Sequence, residues 1–204
     1  MNINYKLLYQ SQEYYLKHLG IKIIETPWVV PNNIMDITKP DILKNKEDYY
    51  SLKSVEKSLV ASGEQSFLYM IINGYLTDGK YQTITPCFRH EQQKDFFHSK
   101  YFMKNELIYF GEKLVNENGL NEIIHFAKIY FEQFIGSGVK TVSVGENAFD
   151  IVYEDVELGS YGIRTFNGIS WIYGTGCAEP RLSRTIQLYK NKENRCGYYS
   201  DCFL

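Results

Sequence analysis

Two stretches alternate apolar and polar residues, Tyr81 to Arg89 (YQTITPCFR) and Tyr101 to Phe110 (YFMKNELIYF), and the polar segment Glu91 to Lys100 separates them. Period-two alternation on both sides of a short polar tip predicts an antiparallel hairpin, so strand pairing has to organise the middle of this chain. The aromatic share of 16%, with 18 Tyr and 12 Phe, suits a sheet-rich core better than a helical bundle.

Helical patterns surround the hairpin. Leu7, Leu8, Tyr15 and Leu19 recur at helical spacing from Tyr5 to Leu19, and Gly20 stands where a left-handed residue would close the helix. IKIIETPWVVP predicts one strand that kinks at its prolines, and the polar residues 32 to 56 predict a solvated connection with short strands at most. An apolar helix is expected over Ser66 to Leu76, with a turn at Asp78-Gly79. Leu120, Ile123, Ile124, Ala127, Tyr130, Phe131 and Phe134 mark an amphipathic helix that stops at Gly136-Ser137-Gly138. Three strands are expected next, Val139 to Val144, Phe149 to Leu158 and Gly162 to Tyr173, then a helix after Cys177. The expectation is an α+β fold, an antiparallel β-sheet flanked by helices, and 204 residues suit a single domain over 1–204.

Charge and composition exclude several classes. Lys plus Arg number 22 against 24 Asp plus Glu, and the net charge of −2 provides no global field for a polyanion. There is no apolar run of membrane-spanning length and no signal-peptide core, so no membrane contact and a cytoplasmic location are expected. Cys87, Cys177, Cys196 and Cys202 form no CxxC pair and the four histidines are scattered, which argues against zinc. Cys196 and Cys202 are read as two reduced thiols, with a redox pair as the other reading.

Two constellations carry chemistry. In Phe88-Arg89-His90-Glu91, Arg89 and Glu91 leave the same face of a strand, and the hairpin return is expected to bring Glu106 beside them. Arginine grips phosphoryl oxygens bidentately and keeps its charge; a cross-strand ion pair on a wet surface is the structural alternative. The second is Gly174-Thr175-Gly176-Cys177-Ala178-Glu179-Pro180-Arg181, read as a strand, a glycine-spaced turn and a helix start, with DVELGSYGIR before it. Alternation places Asp155 and Glu157 on one face, either a Mg²⁺ site for a nucleotide or an exposed acidic strand.

Taken in order, these stretches resemble the three signature motifs of the class II aminoacyl-tRNA synthetase catalytic core. The first helix with Gly20, Ile23, Ile24, Pro27 and Val29-Val30 is similar to motif 1, FRHE with Phe102 and Glu106 to motif 2, and GTGCAEPR to motif 3, over Leu7 to Tyr189. The resemblance implies ATP as substrate: Arg89 on the α-phosphate, Glu91 near the adenine amino group, Phe102 beneath adenine, and Arg181 over its other face reaching the γ-phosphate. It implies Mg²⁺ on Glu157, with catalysis resting on Arg89 and Arg181. For the amino acid it implies Glu64 at the amino group, in the Ser62-Gly63-Glu64 loop, with Glu106, Ser160 and Arg164 also binding substrate. ELGSYGIR looks most like the aspartate branch, including ammonia-dependent asparagine synthetase, where the arginine at the position of Arg164 reads a side-chain carboxylate. The lysine that this branch usually carries after its flipping-loop glutamine has no counterpart, since Gln65 precedes Ser66, Phe67 and Leu68.

A complete synthetase adds a domain that grips tRNA, and 204 residues leave no room for one. The expected enzyme is an amino-acid-activating ligase that forms an acyl-adenylate and transfers it to a non-tRNA acceptor: a carrier protein, a small amine, ammonia or a lysine. Motif 1 implies a homodimer. The other readings are a non-catalytic amino-acid- or nucleotide-binding regulatory paralogue, and a minimal synthetase served by a separate tRNA-binding partner.

Overall fold

The computed structural model describes residues 2–39, 49–52, 54–90, 96–97 and 99–200, with side chains described as far as 192. Helix α1 (Tyr5–Leu19) starts where the Asn4 side chain accepts the Leu7 N–H and ends at Gly20, whose φ of 65° is left-handed. The stretch expected as one kinked strand divides between two sheets. Strand β1 (Lys22–Ile23) lies parallel to β4 (Gly79–Phe88), whereas β2 (Val29–Pro31) pairs antiparallel with β3 (Lys57–Leu59). Pro27, which has no N–H to give a ladder, lies between them. Part of the expected polar connection is a short helix, α2 (Asn32–Ile37), which buries Ile34 and Met35 and is too brief to show a period.

Helix α3 (Gly63–Ile72) begins earlier than the apolar run because a capping box precedes it. The Ser62 hydroxyl accepts from Glu64 N–H at 3.3 Å, and the Gln65 side-chain oxygen accepts from Ala61 N–H at 2.7 Å and Ser62 N–H at 3.2 Å. It ends by Asn73 and Gly74, before the expected Leu76.

The seven-stranded sheet has the order β1-β4-β5-β9-β8-β7-β6, antiparallel except for β1 with β4. The predicted hairpin is present: β4 and β5 (Tyr101–Phe110) pair from Gly79↔Phe110 to Phe88↔Tyr101. Helix α4 (Glu117–Ile135) and a 3₁₀ turn at Gly136–Gly138 lead to β6 (Val139–Gly145), β7 (Ala148–Tyr153), β8 (Val156–Phe166) and β9 (Ile169–Glu179), then α5 (Arg181–Ser200). Four strands therefore replace the expected three, and α5 starts later than expected. The cuts fall at turns where Asn147, Glu154 and Asn167 hold positive φ of 52°, 52° and 49°. Glu154-Asp155 carries no Gly or Asn signal, so the alternation reads straight through it. Asp155 consequently lies in a turn and does not share a strand face with Glu157.

One face of the sheet is covered by α1 and α4, burying Leu107, Tyr109, Tyr161, Ile172 and Cys177. Gly174 and Gly176 lie inside β9, not in the expected turn, and they serve this packing rather than a ligand's approach. A Cβ on Gly174 would lie 2.8 Å from the Tyr161 ring and 3.0 Å from Ile123, and one on Gly176 would lie 2.9 Å from both Asn105 and Tyr15. On the other face, α3 and the β2-β3 pair cover Tyr81, Ile108 and Trp171, leaving the remainder of that face for the site.

Candidate active site

Strand register places alternate residues of five strands on this second face. Thr85 pairs with Lys104 and Thr83 with Glu106; Glu106 then pairs with Thr175, Gly162 with Tyr173, Arg164 with Trp171 and Asp150 with Ser160. A break in register between Asn105 and Glu106 skips Gly176.

Arg89 lies just past β4, its N–H donating to the Lys100 carbonyl. Its Nε donates to the Ala61 carbonyl at 3.2 Å, and its guanidinium carbon lies 5.1 Å from the Phe102 ring centre. Both line a concave site together with Phe97, Glu179 and Arg181. Glu106 is not beside Arg89 as expected. It sits opposite Thr83, accepts the Ser62 hydroxyl at 2.5 Å and lies 2.8 Å from Lys104 Nζ. Glu91 lies outside the described residues, as does Cys202.

Arg181, the first residue of α5, donates through Nη1 to Glu157 Oε1 at 2.9 Å and to the Glu157 carbonyl at 3.1 Å. The carboxylate near Glu157 is Asp150 of β7, in place of the expected Asp155. Burial raises the Asp150 carboxyl above its ordinary value, the neighbouring Ser160 hydroxyl and the Arg181 charge oppose that, and Glu157 adds to the rise. Among the described residues no three His, Cys, Asp or Glu side chains cluster as a metal site. Mg²⁺ needs less than that: one or two carboxylates and substrate phosphates commonly hold it, and the half-exposed Glu157 carboxylate fits that donor set.

Glu64 does not stand in an open loop; it is the second residue of α3 and is buried. Its Oε2 accepts Arg164 Nη1 at 2.6 Å, and its Oε1 accepts the Trp171 indole N–H at 2.7 Å. Burial works against the charge on Arg164, but Glu64 and Tyr173 more than reverse this, so the guanidinium stays protonated. Arg164, expected to be available for a substrate carboxylate, is thus already paired. Its guanidinium carbon also lies 4.2 Å from the Tyr173 ring centre; burial raises the Tyr173 hydroxyl above its ordinary value, and the Arg164 charge and the nearby Ser160 hydroxyl oppose that.

Sequence reasoning missed Lys104, Trp171, Tyr173 and Asp150. Lys104 had a signal, since it alternates with Phe102 and Glu106 on β5. Asp150 and Trp171 had none, because only pairing across β7, β8 and β9 brings them to the site. Glu179 is buried at the end of β9 and accepts from Asn4 N–H at 3.1 Å, Ser183 N–H at 2.9 Å and the Ser183 hydroxyl at 2.7 Å. Burial pushes its carboxyl up and these donors hold it back. The free thiols Cys87 and Cys177 are buried, and burial pushes the Cys87 thiol up to about 12.

The fold is that of the class II aminoacyl-tRNA synthetase catalytic core. The chain superposes on seryl-tRNA synthetase from Pyrococcus horikoshii complexed with ATP with a TM-score of 0.70 at 16% identity, over 88% of this chain and 48% of that one. Against pyrrolysyl-tRNA synthetase from Desulfitobacterium hafniense the TM-score is 0.65 at 17% identity, over 90% and 70% of the two chains. A second pyrrolysyl-tRNA synthetase structure from that organism, PylSc, gives 0.64 at 18% identity, over 88% and 69%. The protein therefore spans about half the length of the seryl enzyme, and at these identities the likeness is one of fold. No protein-family model and no curated protein matches the sequence.

Proposed function

We propose that this fold activates the carboxylate of an amino acid with ATP, as an acyl-adenylate, and passes the acyl group to an acceptor other than tRNA. The observation that carries the reading is Arg89 packed on Phe102 at one wall of a concave site that Arg181 also lines. An aromatic ring beside a fixed guanidinium is a seat for a purine with its phosphates, and the second arginine extends that seat. On this reading Phe102 lies under adenine, Arg89 holds the α-phosphate and Arg181 covers adenine and reaches the terminal phosphate. Glu157 would hold Mg²⁺, which when bound neutralises phosphate charge.

A carboxylate oxygen of the amino acid attacks the α-phosphorus as the bond to pyrophosphate breaks. The Arg89 guanidinium, pinned by Ala61, meets the charge that develops without having to reorganise. The acceptor then attacks the acyl carbon and AMP leaves. A carrier-protein thiol, an amine, ammonia or a lysine all have the required nucleophile. The net charge of −2 supports an acceptor other than tRNA, and so does the lysine-dense stretch Lys39 to Lys57, which contains Asp41, Glu47, Asp48 and Glu56.

We further propose a homodimer, supported by the exposed Tyr5, Tyr9 and Leu16 of α1 with Ile23 and Trp28 beyond it. One sheet carries β4, β5, β7, β8 and β9, which supports reading 1–204 as one catalytic domain. No helix among the described residues is long and apolar enough to cross a membrane, and a cytoplasmic setting suits the unbridged Cys87 and Cys177. Amino-acid-dependent exchange of labelled pyrophosphate into ATP tests the activation. Incubation with ATP, the activated amino acid and total tRNA at low salt tests the acceptor: acid-precipitable label forming as fast as exchange would make tRNA the acceptor.

A further inference from the structure

The charged side chains facing the cleft pair off almost completely. Arg164 lies 2.6 Å from Glu64, Lys104 2.8 Å from Glu106 and Arg181 2.9 Å from Glu157. Glu179 is occupied by Asn4 and Ser183. Two groups are left over among the described residues. Arg89 bonds only a backbone carbonyl and pairs with no described carboxylate. Asp150, half-buried on β7 opposite Ser160, makes no ion pair with a described cation, and Arg181, bonded to Glu157, acts on it only through space.

We infer that the amino acid activated here carries an uncharged side chain, with its α-ammonium on Asp150 and its side chain against the closed Arg164-Glu64 pair. The inference rests on the amino-acid activation proposed above and adds the substrate class. A zwitterion with a neutral side chain brings one ammonium, and the cleft has one carboxylate without a cation to receive it.

With Arg89 given to the α-phosphate, an acidic side chain has no unpaired cation to meet beside the Arg164-Glu64 pair. Drawn to the exposed side of Arg164, its carboxylate would crowd the charge of Glu64; displacing Glu64 would leave a buried carboxylate holding only the Trp171 indole. A basic side chain would need a second unpaired carboxylate besides Asp150. What the cleft offers beside the closed pair is hydroxyl surface, Ser160 and Tyr173. Gly162 permits it, because a Cβ there would lie 2.7 Å from the Tyr173 hydroxyl oxygen.

The test is pyrophosphate exchange by the full chain across glycine, alanine, serine, asparagine, valine, aspartate, glutamate, lysine and arginine, with calorimetric binding of the same panel. An uncharged amino acid is expected to exceed all four charged ones by about 100-fold in kcat/KM. Glu64→Gln, which releases Arg164, is expected to raise aspartate or glutamate about tenfold relative to the best uncharged substrate. Asp150→Asn is expected to raise the amino-acid KM about tenfold while the ATP KM stays within about twofold. A charged amino acid as best substrate, or an amino-acid KM unmoved by Asp150→Asn, overturns the inference. Absence of exchange with every amino acid overturns the activation reading instead. Calorimetry then judges charge preference alone: tighter binding of an uncharged amino acid supports it, and tighter binding of a charged one, or no binding, overturns it.

Discussion

Arg181 Nη1 lies 2.9 Å from Glu157 Oε1 and 3.1 Å from the Glu157 carbonyl, tying the first residue of α5 to β8. The two side chains are 19% and 48% exposed, so water screens the pair and its contribution to stability is small, about 0–1 kcal/mol. Arg181→Ala and Glu157→Gln should therefore melt close to the unmodified protein. Both should lower exchange by about 100-fold, and Glu157→Gln should also raise the Mg²⁺ concentration needed for half-maximal rate. Equal losses of melting temperature and rate would show that the pair holds the fold instead.

Gly174→Ala tests the close approach of α4 to the sheet. Its Cβ would enter the space of the Tyr161 ring at 2.8 Å and of Ile123 at 3.0 Å, both buried. Overpacking of this kind should destabilise by about 1–3 kcal/mol in urea unfolding, whereas Gly168→Ala, with nothing near its Cβ, should show only the smaller strain of its positive φ.

Alkaline pH should unfold the protein early. Burial raises the hydroxyls of Tyr15, Tyr109, Tyr130 and Tyr161 above the ordinary 10.0, raises the Cys87 thiol from 9.0 to about 12 and raises Cys177. A raised value in the folded state means that stability is intact below the unfolded value and is lost as pH climbs toward the folded one. The unfolded chain ionises first, so each group subtracts about 1.4 kcal/mol per pH unit through that window. Urea midpoints should stay level to about pH 8 and fall steeply above about pH 9. A flat profile through this range would contradict the burial of these groups.

What the sequence revealed was what repeats locally. The alternation of β4 and β5, the period of α4, and Gly20 closing α1 each follow from a pattern a few residues long. The hairpin turn at Glu154-Asp155 did not follow, because an ordinary acidic residue occupies the left-handed position. Nor did the pairing of Glu64 with Arg164, 100 positions apart, which turns two expected substrate ligands into each other's partners. Site chemistry assembled across strands depends on register, and register is not written in any one segment.

Sedimentation should find a species of twice 23.9 kDa at micromolar concentration. Val30 of the Trp28-Val29-Val30 run is buried under α3, so the face that needs cover is Tyr5, Tyr9, Leu16, Ile23 and Trp28. Tyr9→Glu combined with Trp28→Glu should give a folded monomer; a monomer without any substitution would remove the basis for the interface.

The most direct measurement compares the unmodified protein with Arg89→Ala in amino-acid-dependent exchange of pyrophosphate into ATP, alongside thermal melting. Arg89 contributes one hydrogen bond to Ala61 and a stack on Phe102, so its removal should cost only about 1 kcal/mol of stability. The unmodified protein should show exchange with at least one amino acid, and Arg89→Ala should lose about 1000-fold or more with the fold retained. Full exchange by Arg89→Ala, or none with any amino acid by the folded unmodified protein, would contradict the proposed activation.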